Sequence, residues 1–121
     1  MAADFEYAIM ADLPEFAPVA GVHMRPISGE LGQINHIVLD PGAVVPQHRH
    51  TNEQLGYIVS GLITMTIAGE TIPFGPGTGY RIAGNVEHGG VAGPEGCVVI
   101  DVFAPPREDY REAAERARSG T

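Results

Sequence analysis

Apolar and polar residues alternate along much of the chain with the period of two that marks a strand showing one face to a core. Ile63, Met65 and Ile67 alternate with Thr64 and Thr66, and Ala68-Gly69-Glu70 follows as a hairpin turn. By the same reading, strands are predicted over residues 22–27, 33–39, 56–59, 62–67, 70–72, 79–82, 87–91 and 97–103. Many short strands separated by Gly/Pro turns predict an all-β sandwich or barrel. After Pro105-Pro106 the period changes. Tyr110, Ala113, Ala114 and Ala117 fall at helical spacing, with Glu108 and Asp109 at the start and Arg116 and Arg118 at the end, where each charge complements the helix dipole. This predicts a short C-terminal helix over residues 106–118, with Tyr110 packed on the outside of the strands. Residues 1–19 form an N-terminal arm, in which Phe5-Glu6-Tyr7-Ala8-Ile9-Met10 alternates enough to supply an extra strand, and a homodimer is expected.

Sixteen glycines and ten prolines are spread as turn punctuation and never gather into a linker, so residues 1–121 are read as one domain. The lone Cys97, in the apolar run Cys97-Val-Val-Ile, has no internal disulfide partner and is expected to be buried and inert. The net charge is −8 and all seven basic residues are arginines. Without lysine there is no side-chain amine for Schiff-base chemistry, and an acidic surface disfavours nucleic acid. Met1 to Ala20 carries acidic residues where a secretory signal carries basic ones, and no apolar run is long enough to cross a membrane. A cytoplasmic location without membrane contact is expected.

Against this background the histidines stand out. His48 and His50, at i and i+2 after the Gly42 turn, can point to one side of a strand, and Gln54 shares their parity. His88 follows a second glycine-rich turn and a short apolar strand. Converging imidazoles are the commonest protein ligands for a divalent transition metal. Asp101 is a carboxylate inside the apolar run 97–103, which places it either on a wet face, paired with an arginine such as Arg107, or in a functional cavity. His23, His36 and Glu53 read as ordinary surface or strand residues.

The spacing of Gly42, His48, His50, Gln54 and Gly61 resembles the first motif of the cupin family, Gly…His-x-His…Glu…Gly. Gly77, Ala83, Asn85, His88 and Ala92 lie at the positions of the second, Gly…Pro-x-Gly…His…Asn. Gln54 replaces the usual glutamate, and Ala83, Asn85 and Ala92 replace the proline, glycine and asparagine; no histidine is displaced. The resemblance implies a small jelly-roll β-barrel over about residues 20–103, with one metal near its mouth. Three imidazoles and an amide oxygen suit zinc, nickel, iron, manganese or copper. A neutral amide in place of a carboxylate tilts such a site toward Lewis-acid work.

His-x-His-x-x-x-Gln followed by Asp-Val-Phe-Ala-Pro-Pro-Arg-Glu-Asp-Tyr is similar to the KdgF-type cupins of pectin and alginate breakdown, which ketonise 4,5-unsaturated uronates. That resemblance implies His48, His50, Gln54 and His88 as metal ligands and Asp101, Phe103 and Arg107 as catalytic residues acting on a small anionic substrate. A cupin-type polyketide cyclase or isomerase, a metal-dependent dioxygenase and a non-enzymatic ligand-binding sensor are the alternatives.

Overall fold

The computed structural model describes residues 3–120. A short 3-10 turn, Met10–Asp12, precedes seven strands and one helix: β1 Val22–Ser28, β2 Gln33–Leu39, β3 Val44–His48, β4 Glu53–Ile67, β5 Glu70–Phe74, β6 Gly79–Ile82, β7 His88–Ala104 and α1 Glu108–Ser119. Every pairing is antiparallel, in the order β1-β2-β7-β4-β5, with β3 added on β7 and β6 on β4.

The long β4–β7 ribbon is the spine. Sequence reading divides each of these strands in two at its glycines, yet the glycines are absorbed as irregularities within continuous strands. The register jumps from Gly61↔Cys97 to Ile63↔Ala92, with Gly61 and Gly96 both at φ 77°. Positive φ is open to glycine at little cost, so the ribbon bends there without ending. On one side of the bend β7 pairs with β2 and β4; on the other, with β3 and β4.

The ribbon and its flanking strands make a jelly-roll arrangement, but the hydrogen-bonded path does not close into the expected barrel. The proline content of the flanking strands is a physical reason. Pro26 in β1, Pro46 in β3 and Pro73 in β5 each lack an N–H with which to extend a ladder. The N-terminal strand expected over residues 5–10 is absent. Residues 3–9 are irregular and Phe5, Tyr7 and Ile9 are exposed, while further along the arm is tied to β1 by the Phe16↔Met24 bridge, by Arg25 Nε donating to the Leu13 carbonyl at 2.8 Å and by the His23–Glu15 pair.

Inward residues of β1, β2, β4 and β7, among them Val22, Ile37, Leu39, Ile58 and Val99, form the core. Cys97 is buried with them, and burial pushes its thiol up to about 11, in keeping with an inert side chain. Helix α1 carries Glu108 and Asp109 in its first turn and closes on Gly120, whose N–H donates to the Arg116 carbonyl. Tyr110 goes further inward than predicted. It packs on Phe16 at 5.8 Å and edge-on to Phe103 at 5.7 Å, at the open end of the core. No helix among the described residues is long and apolar enough to cross a membrane.

Candidate metal centre

His48 and His50 do not share a strand as their parity suggests. His48 is the last residue of β3 and His50 lies in the loop beyond it. They converge with His88, which opens β7 directly opposite His48 in the ladder. Ring centroids are 4.4 Å apart for His48–His88, 4.9 Å for His50–His88 and 5.6 Å for His48–His50. One nitrogen from each lies within 4.8 Å of the others.

All three rings are oriented alike. Nδ1 of His48 bonds the Pro46 carbonyl at 2.8 Å, that of His50 the Asn52 carbonyl at 3.0 Å, and that of His88 the Val86 carbonyl at 2.8 Å. A carbonyl only accepts, so each Nδ1 must carry the proton and each neutral Nε2 must present a lone pair. Burial favours the neutral form of two of them: it lowers the pKa of His50 and takes that of His88 down to about 4.

Two features fit a bound cation. The buried His88 Nε2 has no hydrogen-bond partner. His50 Nε2 lies 3.1 Å from Gln54 Oε1, so two lone pairs face each other with nothing of opposite sign between them. The residues therefore fit a divalent metal held by His48, His50, His88 and Gln54.

The orientation of Gln54 is set from behind. Its Nε2 donates to Asp101 Oδ2 at 3.2 Å, and the Tyr80 hydroxyl donates to Asp101 Oδ1 at 2.6 Å. Asp101 is thus in a cavity and not paired with Arg107. Burial raises its pKa to about 6, against the lowering effect of those two hydrogen bonds.

Arg107 instead bonds Asp109 with both arms, Nε to Oδ1 at 3.1 Å and NH2 to Oδ2 at 2.8 Å. Its guanidinium lies 4.0 Å from the Tyr110 ring centroid and 5.5 Å from that of Phe103. The third arm, NH1, is buried without a partner. Phe103 stands edge-on to His50 at 5.6 Å. His48, Gln54, His88, Asp101, Phe103 and Arg107 all line one cavity of about 60 Å³. It adjoins a groove of about 230 Å³ bounded by Pro18, Val19, Pro46, Asp109 and Tyr110, with His48 and Arg107 in both walls.

The remaining polar residues lie elsewhere. His23 bridges Glu15 at 2.7 Å and Asp40 at 3.2 Å, Glu53 meets Arg81 at 3.2 Å, and His36 sits among residues of the opposite sheet face. Sequence reading missed Tyr80. A signal for it existed in Gly56, a glycine inside a strand, which often marks the close approach of another group.

A jelly roll with three inward-facing histidines defines a class, and the sequence pattern of the cupin domain matches residues 35–103. The chain belongs to the cupin family. It is 36% identical over 70 residues to the pectin degradation protein KdgF of Dickeya dadantii, a match covering 57% of this chain and 64% of that protein. It is 33% identical over 73 residues to the H2HPP isomerase of Bacillus subtilis, covering 60% of this chain and 31% of that protein. The matches therefore span less than two thirds of either relative. The structure of KdgF from Halomonas sp. superposes with a TM-score of 0.82 at 26% identity, covering 88% of this chain and 99% of that one. The polyketide cyclase RemF of Streptomyces resistomycificus shares the fold, with a TM-score of 0.74 at 21% identity over 86% of this chain and 82% of that one.

Proposed function

We propose that this chain is a metal-dependent enzyme that acts as a Lewis acid on a small enolisable anion, and that its reaction is the ring opening and ketonisation of 4,5-unsaturated uronates. The observation that carries this reading is the unpartnered NH1 of Arg107, a buried cationic side chain that lines the same cavity as His48, His88 and Asp101. Similarity to two KdgF proteins, one of them named for pectin degradation, supports the substrate class.

The substrate is a cyclic hemiacetal whose ring oxygen is also an enol ether oxygen. Opening breaks the bond between the anomeric carbon and the ring oxygen. The anomeric hydroxyl gives up its proton to leave an aldehyde, and the ring oxygen becomes an enol. Transfer of a proton onto the enol carbon, with loss of the hydroxyl proton, gives the ketone. The reaction is an isomerisation and needs no redox partner. His48, His50, His88 and Gln54 would hold a divalent ion, which would supply positive charge where oxygen becomes anionic. Arg107 binds the uronate carboxylate through NH1, Asp101 carries the proton, and Phe103 closes the cavity wall against water. A cavity of about 60 Å³ with a groove of about 230 Å³ favours a single sugar ring over a large aromatic polyketide.

The test is an assay on unsaturated uronate freshly made by a lyase, following loss of ultraviolet absorbance and identifying the linear ketone by proton NMR. Metal-loaded protein should accelerate the change well above the spontaneous rate. Equal rates with and without it would remove the uronate assignment.

We further propose that the protein works as a homodimer joined across the outer sheet face. Ile34, Val102 and Leu55 form one cross-strand row there and His36, Ile100 and Tyr57 the next, with Ile34 44%, Leu55 42% and Tyr57 51% exposed. These rows are largely apolar, and the one carboxylate beside them, Glu53, is paired with Arg81, so on a chain of net charge −8 this is where two copies meet with little repulsion. Light scattering should give a dimer mass that Tyr57→Glu converts to a monomer; a monomeric wild type would exclude it.

A further inference from the structure

Asp101, Gly56 and Tyr80 lie side by side on three adjacent strands, Asp101 on β7 and Tyr80 on β6 each being the register partner of Gly56 on β4. In an ordinary sheet the side chain of the central residue keeps its two neighbours apart. Here the centre is bare. A Cβ on Gly56 would overlap the Tyr80 ring at Cε1 and Cζ and its hydroxyl oxygen. The ring therefore lies across β4, over the glycine, backed by Phe74 at a centroid distance of 5.2 Å. This places the Tyr80 hydroxyl 2.6 Å from Asp101 Oδ1.

The consequence reaches the candidate metal ligand two residues before Gly56 on the same strand. Asp101 Oδ2 takes the Nε2–H of Gln54, which turns Oε1 toward His50 Nε2 at 3.1 Å. An amide can sit in its site either way round, and only the oxygen end can ligate a metal. With Oδ1 held by the phenol, the carboxylate plane is fixed and Oδ2 is left to select the orientation of the amide. We infer that Tyr80 is a positioning residue for the metal centre, acting through Asp101 on Gln54, and that Gly56 is the gap that lets it reach. This rests on the reading of Gln54 as a ligand and extends it to a pair of residues at positions that the two histidine motifs leave unspecified.

The experiment uses the full chain loaded with cobalt(II), whose visible absorption reports its ligands. Affinity is measured by competition with a chelator in wild type, Tyr80→Phe, Gln54→Ala and the double variant, alongside the melting temperature of each metal-free protein. Loss of an outer partner of a metal ligand typically weakens binding about 10- to 100-fold. Tyr80→Phe should show a loss of that size and an altered cobalt spectrum. In the Gln54→Ala background, Tyr80→Phe should add little, because the residue it acts through is gone. Equal, additive losses in both backgrounds, or a lower melting temperature with unchanged affinity and spectrum, would make Tyr80 merely structural and overturn the inference. Unchanged affinity and spectrum in Gln54→Ala alone would instead remove Gln54 as a ligand, and the inference with it. Gly56→Ala, if it folds, should reproduce the Tyr80→Phe spectrum.

Discussion

His50 Nε2 and Gln54 Oε1 lie 3.1 Å apart with a lone pair on each directed at the other, because His50 Nδ1 is committed to the Asn52 carbonyl and Gln54 Nε2 to Asp101. A positive charge shared between them satisfies two acceptors held in that relationship, and a divalent ion supplies it. The metal reading of the site rests on that relationship together with the orphaned His88 Nε2.

The same burial that leaves His88 neutral predicts how the metal-free protein responds to acid. Its folded pKa is about 4 against an ordinary 6.5, so between those values the unfolded chain binds the extra proton. Stability from this residue is present above pH 6.5 and is lost as pH falls toward 4. Asp101, raised by burial to about 6, works in the opposite direction over part of that range. The comparison must therefore be between variants: in urea melts, metal-free wild type should lose more stability from pH 7 to pH 4.5 than metal-free His88→Asn. Parallel losses would contradict the assigned burial effect.

The neutral donor set predicts chemistry without electron transfer. Zinc- or nickel-loaded protein should turn over under anaerobic conditions at a rate comparable to that in air. An oxygen electrode checks this, and oxygen uptake matching turnover, abolished by zinc, would move the assignment to a dioxygenase.

Arg107 and Asp101 should fail in different ways. Arg107→Ala removes carboxylate binding and should mainly raise KM for an anionic substrate. Asp101→Asn should keep the fold and lower kcat by about 10² to 10⁴ if the carboxyl moves the proton. A loss of activity that only tracked a lower melting temperature would make Asp101 a structural residue.

The pattern of these residues explains what was legible in the sequence. The three histidines were found because their spacing is written locally, on either side of turns whose glycines are visible. Strand β3 was missed because Val44-Val45-Pro46-Gln47 is short and carries a proline, which argues against a strand unless it lies at an edge. Strands β4 and β7 were divided in two because Gly61 and Gly93-Pro94-Glu95-Gly96 read as turns, whereas the ribbon takes them up as a bend. The arm over residues 5–10 has strand-like alternation, but the end of β1 that it lies beside carries Pro26, which has no N–H with which to pair it. Tyr80 was out of reach for a different reason: its meeting with Asp101 depends on the register of three strands, and register is set by tertiary packing.

The most direct measurement is elemental analysis of the purified protein, wild type beside His50→Ala and His88→Ala. About one divalent metal per chain is expected in the wild type, since three imidazoles and one amide oxygen complete one four-ligand site. Both substitutions should strip most of it, each removing one of the convergent Nε2 donors. A metal content unchanged by both would contradict the account, because it would place the ion somewhere other than among His48, His50, Gln54 and His88.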